Sequence, residues 1–288
     1  MNRLKAHASK LALGTVQFGL DYGISNEHGK VTTVEVGKIL ETAAKYGMDI
    51  LDTASAYGSS EAALGTFDLS AFKVVSKFII MQEKTTLRNE LSRSLSALRL
   101  PRLYAYIAHR ARDLLIHPNL YTELKELREE GLVGKIGYSI YLPNELEALL
   151  EKDMVPDLVQ VPYNILDRRF ERYFSKLKNL GVEVHTRSTF LQGLFFLSAG
   201  KLDPYFSSVE ALLSDLAGQF PDQKERARFL ISFCAENPYI DKIVLGVVSA
   251  KQLLQNLEPF DDQKAQYLKE RTYKVDEGVL LPYNWPVA

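Results

Sequence analysis

The chain holds one cysteine, Cys234, in 288 residues. A single thiol cannot close an internal disulfide or build a zinc cluster, and it suits a reducing compartment. It lies in Arg228-Phe-Leu-Ile-Ser-Phe-Cys-Ala-Glu236, where Phe229, Leu230, Phe233 and Cys234 share one side of a helical pattern. It therefore reads as a small core residue rather than a nucleophile. Net charge is nearly absent: 35 Lys and Arg stand against 36 Asp and Glu, for a net of −1. No global attraction to nucleic acid or to an anionic membrane follows. No apolar run reaches the roughly 18 residues that cross a bilayer. Arg3, Lys5 and Lys10 precede Leu11–Leu20 in the order of a secretory leader. Gly14, Gln17 and Gly19 break that run, and no small-residue cleavage site follows. The expectation is a cytoplasmic protein with no nucleic-acid and no membrane partner; nothing in the pattern fixes an oligomeric state.

Two further absences bear on the fold. No Ser/Gly/Pro-rich linker divides the chain, so residues 1–288 read as one domain. No Gly-x-Gly-x-x-Gly turn follows the first strand, which weakens an open doubly wound sheet. What is present is a recurring unit of amphipathic helix, glycine and short aliphatic strand. Val34–Tyr46 leads through Gly47 to Asp49–Ala54, Leu120–Glu130 through Gly131 to Gly134–Ile140, and Phe170–Leu180 through Gly181 to Val182–Arg187. The glycine suits the left-handed position just past a helix. The remaining strands are Leu11–Val16, Phe72–Phe78, Leu103–His109, Leu158–Tyr163 and Lys242–Val247. Helical patterns also cover Thr85–Leu98, Asn144–Leu150, Lys224–Glu236 (begun by Pro221-Asp222), Ala250–Leu257 and Asp262–Thr272. Eight strand–helix units imply a parallel sheet closed into a (β/α)8 TIM barrel. The long interval after the seventh strand, about 189–223, reads as an elaborated loop, and about 262–288 as a C-terminal helix and tail. Phe190, Phe195, Phe196, Tyr205 and Phe206 make that loop aromatic, fit for rim packing or for a ligand lid.

Barrel enzymes carry their sites at the C-terminal ends of the strands. There the second strand offers Asp52 and then Tyr57, the third Lys77 and the fourth His109. Each alone has an ordinary structural reading; their convergence on one rim is harder to dismiss. Lys77 sits in an apolar stretch and needs a carboxylate partner, which Asp52 on the neighbouring strand can be. The lysine's field is then expected to lower the Tyr57 pKa, so that the phenol exchanges a proton near neutrality.

Gly47-Met-Asp-Ile-Leu-Asp-Thr-Ala-Ser-Ala-Tyr-Gly-Ser-Ser-Glu61 closely resembles the aldo-keto reductase signature. Asp52 and Tyr57 match its catalytic Asp and Tyr. Val75-Ser-Lys77 resembles the family's lysine strand, and Tyr104-Ala-Tyr-Ile-Ala-His109 the strand ending in its catalytic histidine. Gly131-Leu-Val-Gly-Lys-Ile-Gly-Tyr-Ser139 and Val159-Gln-Val-Pro-Tyr-Asn164 resemble the segments whose Ser and Gln bind the nicotinamide amide. Residues 11 to 260 carry the likeness. The resemblance implies an NAD(P)H-dependent reductase of aldehydes or ketones, sugar-type carbonyls among them, with no metal. Asp52, Tyr57, Lys77 and His109 would be catalytic. Gly14, Thr15, Asp52, Ser139, Gln160, Arg187, Gly246, Ser249, Gln252 and Asn256 would bind the cofactor, NADP in most of the family and NAD as the other option.

The departures are informative. Ile140 follows Ser139 where the family has Asn, and Arg187 stands where a Tyr stacks on the nicotinamide. The basic side chains that usually face the 2′-phosphate align with Gly246, Val248 and Gln252, leaving only Lys251 near. Tyr57 and Lys77 are closely spaced, implying a trimmed second helix. Phe18, Tyr22, Tyr141, Phe190, Phe195 and Phe196 are candidates for the pocket mouth. A cofactor-binding sensor with little turnover is the alternative function, and a lyase or isomerase using Lys77 as a Schiff-base amine is the third.

Overall fold

Eight parallel strands, hydrogen-bonded in chain order, close into a barrel in the computed structural model, which describes residues 5, 7–79, 86–258 and 266–286. They are β1 Leu11–Gly14, β2 Ile50–Asp52, β3 Lys73–Phe78, β4 Leu103–Ala108, β5 Val133–Ser139, β6 Leu158–Pro162, β7 Glu183–Arg187 and β8 Lys242–Gly246. Each falls where the aliphatic runs place it. Both faces of such a strand are buried, which is why the runs are continuous rather than alternating. Ala12, Ile50, Val75, Ala105, Ile107 and Leu158 pack inside the barrel. Leu11, Leu13, Leu51, Val74, Leu103 and Tyr106 belong to the larger core shared with the helices. Burying each large side chain contributes about 1.5–3 kcal/mol.

The helices are α1 Thr33–Tyr46, α2 Ser60–Leu64, α3 Leu87–Leu98, α4 Ala111–Ile116, α5 Asn119–Glu129, α6 Pro143–Glu151, α7 Glu171–Asn179, α8 Glu210–Gln219, α9 Gln223–Ala235, α10 Ala250–Leu257 and α11 Gln266–Glu270. Thr32 caps α1 by accepting from Glu35 N, and the helix buries Val36, Ile39, Leu40 and Ala43. It stops at Gly47, whose φ of +88° other residues reach only at a steric cost; Gly131 and Gly181 repeat the device. Asp222 caps α9 as expected, accepting from Lys224 N. The trimmed second helix is the five-residue α2. Helix α4 has no counterpart in the expectation, since six residues carry too little periodicity. Thr85 and residues 262–265 of two expected helices lie outside the described residues.

Cys234 is a core residue of α9; its thiol donates to the Tyr163 carbonyl, and burial pushes its pKa up to about 12. Leu191, Phe195 and Phe206 of the long β7–β8 connection are buried, while Phe190 and Phe196 pack edge-on against each other at its margin. The aromatic content of this stretch is thus mostly rim packing. Among the described residues, no helix is long and apolar enough to cross a membrane.

The strand register sets the site. Gly14 pairs with both Asp52 and Gly246, Phe78 with Ala108, Ser139 with Gln160 and Pro162 with Arg187. The C-terminal strand ends therefore share one rim. At the opposite mouth Tyr104, Lys135 and His185 all converge on the Glu183 carboxylate, closing the barrel floor with polar groups.

Candidate active site

Asp52 ends β2 and Lys77 stands near the end of β3. The Lys77 ammonium donates to Asp52 Oδ1 at 2.6 Å and to the Thr53 carbonyl at 2.9 Å, with both side chains buried. The second carboxylate oxygen of Asp52 accepts from Gln160 Nε2 at 2.7 Å. A buried ammonium and carboxylate thus neutralise each other with most of their hydrogen-bonding capacity filled. Burial pushes the Lys77 pKa down, and the Asp52 carboxylate opposes that.

The Tyr57 hydroxyl lies 3.5 Å from Lys77 Nζ. Its loop is fastened to β3 by Ser55, whose N–H and hydroxyl both donate to the Lys77 carbonyl. On the other side, Gly19 lets the loop approach: a Cβ there would lie 1.8 Å from the Tyr57 carbonyl oxygen. The expected lowering of the Tyr57 pKa is corrected. Burial pushes the phenol well above its ordinary value and Asp52 adds to the rise. With Asp52 on its ammonium, Lys77 presents a paired charge rather than a free one. The cation that acts to lower Tyr57 is Arg187. Tyr57 therefore holds its proton at neutral pH.

His109 follows β4, its N–H bonded to the Phe78 carbonyl. Its ring meets the Tyr57 ring edge-on, with centroids 5.6 Å apart. Burial, then Lys77, Arg187 and Arg110, bring its pKa down to about 3, so the imidazole is neutral. Its Nδ1 is buried without a hydrogen-bond partner. Behind β3, Glu61 accepts from Ser76 Oγ at 2.5 Å, and burial raises its pKa.

Arg187 reaches the same rim. Its guanidinium donates to Ser139 Oγ at 3.3 Å, to the Ile140 carbonyl at 3.0 Å and to Ser188 Oγ at 3.2 Å. It lies over the Tyr141 ring at 3.8 Å, and Tyr283 packs edge-on against the same ring. Among the described residues it forms no ion pair with an acid. Of the candidate mouth residues, Phe18 and Phe195 are core, whereas Tyr22 is exposed and Tyr141 lies under the guanidinium.

The remaining expected cofactor residues gather where β1 meets β8. Gly14 and Gly246 face each other, and a Cβ on Gly246 would lie 2.6 Å from Gln17 Oε1. That oxygen is buried and unpartnered, as is Asn256 Nδ2 on α10. Ser249 caps α10 by accepting from Gln252 N, and Gln252 Oε1 accepts from Val248 N. Thr15 differs: its hydroxyl donates to the Asp52 carbonyl and accepts from Ser60, which commits it to holding the strand ends. An unsatisfied amide oxygen beside a side-chain-free strand end, and a second unsatisfied amide towards the far end of α10, whose N-terminus follows β8, fit a nucleotide. One carboxylate is already there: Glu35 Oε1 accepts from Ala250 N at 2.9 Å.

Sequence reasoning missed Gln17, Glu35 and Tyr283. Gln17 had a signal, its place three residues beyond the end of β1 on the rim side. Glu35 and Tyr283 had none, because each meets its partner across more than 140 residues of chain.

Comparison with known proteins agrees with this architecture. An oxidoreductase of Leptosphaeria maculans, sirO, is 26% identical over 206 residues, covering 67% of this chain and 63% of its own length. An aldo-keto reductase of Bacillus halodurans, solved in its holo form, superposes with a TM-score of 0.70 at 20% identity, covering 92% of this chain and 94% of its own. A Pseudomonas aeruginosa protein assigned to the same enzymes gives 0.65 at 22% identity, covering 86% and 88%. The model of the aldo/keto reductase family matches residues 10–271, and the chain belongs to that family.

Proposed function

We propose that the protein reduces an aldehyde or ketone to an alcohol, with Tyr57 as the proton donor and a reduced nicotinamide dinucleotide as cosubstrate. The observation that carries this reading is the buried Asp52–Lys77 pair set 3.5 Å from the hydroxyl of a tyrosine that keeps its proton. A reduced nicotinamide bound at the rim would supply the hydride for the carbonyl carbon. Gly14, Gly246, Gln17 and Asn256 would hold the nucleotide, Ser139 and Gln160 the amide end. NADP is the family's usual partner; the lack of basic side chains beyond Lys251 argues for NAD. The substrate oxygen sits between Tyr57 and His109. The neutral imidazole orients it, and the phenol passes its proton to the developing alkoxide. Phenolate forms 3.5 Å from the Lys77 ammonium, whose N–H donates to it as it appears. The proton is thus released only when negative charge arises on the substrate. The cytoplasm, where the lone thiol stays reduced, is the compartment that suits this chemistry.

The test is Tyr57→Phe. Turnover on a panel of aldehydes and ketones with NADPH or NADH should drop by about two to four orders of magnitude, the usual share of a general acid. Cofactor affinity by calorimetry should stay within a factor of about three, since the ring is retained and only a hydroxyl is lost. Undiminished turnover in this variant would falsify the assignment.

A further inference from the structure

Among the described residues, no carboxylate answers the charge of Arg187. Lys77 has Asp52, and His109 is held neutral. The buried carboxyl of Glu61 is tied to Ser76. No carboxylate lies within ion-pair distance of Arg187 among the described residues. Among the described residues of the rim, the Arg187 charge is therefore left without a counter-ion. Such a charge, half-buried and unpaired, is costly unless a partner of opposite sign arrives.

The guanidinium is also fixed in place. Nε–H is bonded to Ser139, one N–H of Nη1 to Ser188 and one of Nη2 to the Ile140 carbonyl. Tyr141 supports one face at 3.8 Å, and Tyr283 buttresses Tyr141. A guanidinium has five N–H donors, so one on each terminal nitrogen stays open. An oxyanion can take up such remaining donors of a guanidinium held in one plane. The backbone that presents it is unusual: Ser188 has a φ of +64°, and its carbonyl is held by Asn164 Nδ2 at 2.9 Å. Arg187 ends β7 of the closed barrel, on the rim formed by the strand ends that also carries Tyr57 and His109, and its charge bears on both of them.

We infer that the carbonyl substrate carries an oxyanion, a carboxylate or a phosphate, which docks on the two open N–H groups of Arg187 and holds the carbonyl against Tyr57 and His109. This inference rests on the reductase reading and names the substrate class of that site. It makes Arg187 a specificity-determining residue, with its effect in substrate binding.

The experiment uses the full chain with either nicotinamide cofactor and three aldehydes of similar length: an ω-oxo carboxylate, its methyl ester and an aldehyde phosphate. The carboxylate, the phosphate or both should exceed the ester in kcat/KM by on the order of 10–100-fold, the range of a charged hydrogen-bonded contact. Whichever anion leads identifies the source of the oxyanion. In Arg187→Gln that preference should collapse towards one, chiefly through KM. Arg187→Lys, which keeps the charge without the planar guanidinium, should retain part of it. Circular dichroism and urea denaturation confirm that each variant is folded. A wild-type preference for the ester overturns the inference, as does a preference that survives in folded Arg187→Gln. If no aldehyde is reduced, the reductase reading itself fails. The inference is then decided by calorimetry with an unreactive hydroxy acid and its methyl ester. Tighter binding of the acid that disappears in Arg187→Gln supports it, and equal or absent binding sinks it.

Discussion

Asp52 and Lys77 form a closed ion pair at 2.6 Å, with side-chain exposures of 3% and 1%. A pair so buried is held by mutual need: removing one partner leaves the other uncompensated. Lys77→Met should lower unfolding stability by about 3–5 kcal/mol, and Asp52→Asn, which retains a polar group for Gln160, by less. The double variant should lose less than the sum of the two. Urea denaturation of all four proteins gives the coupling directly. Strict additivity would mean that the two groups stand apart in the folded protein.

Gly19 and Tyr57 are separated by 38 positions (57 − 19), yet the tyrosine carbonyl lies against the glycine where a side chain would be. Gly19→Ala must move the loop that carries the phenol. The expected result is a loss of about 1–3 kcal/mol in stability, the usual range for overpacking, together with a drop in kcat. Gly200→Ala is the control, since a Cβ there meets nothing within 4 Å and its φ is not positive. It should leave both quantities near wild type. Equal behaviour of the two variants would show that the close approach at Gly19 does not exist in solution.

The barrel was largely legible in the sequence because a buried parallel strand writes itself as an aliphatic run, and Gly47, Gly131 and Gly181 punctuate the helices before three of them. The convergence of Asp52, Tyr57, Lys77 and His109 was legible through one topological rule, that strand ends share a rim. The sign of the Tyr57 shift was not. It depends on how closely Asp52 approaches the Lys77 ammonium and how little water reaches the phenol, and neither distance nor solvation is encoded in spacing. The posture of Arg187 was equally hidden: Ser139, Ile140 and Tyr141 hold it from β5 and the turn beyond, 46 to 48 positions away. Short helices such as α4 escaped for a different reason, having too few residues to show a period.

Glu35 accepts a hydrogen bond from Ala250 N at the start of α10, and that bond and the nearby Lys38 hold its carboxyl below the ordinary range. The nucleotide site proposed above adjoins this helix end. A 2′-phosphate entering there meets a carboxylate that already uses the favourable position. Glu35→Gln should therefore raise NADPH affinity relative to NADH by roughly five-fold, a like-charge contact seen through water. Calorimetric titration of both nucleotides against both proteins measures the ratio. A ratio untouched by the substitution removes Glu35 from cofactor discrimination.

His109 makes a prediction about acid stability whose sign follows from its environment. Its pKa falls from the ordinary 6.5 to about 3 in the folded chain, chiefly through burial and then through Lys77, Arg187 and Arg110. Between these two values the unfolded chain binds the proton and the folded chain does not. Stability must therefore decline as pH falls from 6.5 towards 3, while above 6.5 the residue contributes no slope. His7, whose pKa is also lowered, adds a slope of the same sign, so the informative quantity is a difference between proteins. His109→Gln, which keeps a polar side chain at the rim, should show a shallower loss of unfolding free energy between pH 7 and pH 4 than the wild type (roughly the window set by the two pKa values). Urea denaturation at four or five pH values across that window gives the comparison. Parallel curves for the two proteins would mean that His109 titrates normally in the folded state, and that the imidazole facing the substrate is charged at mildly acid pH.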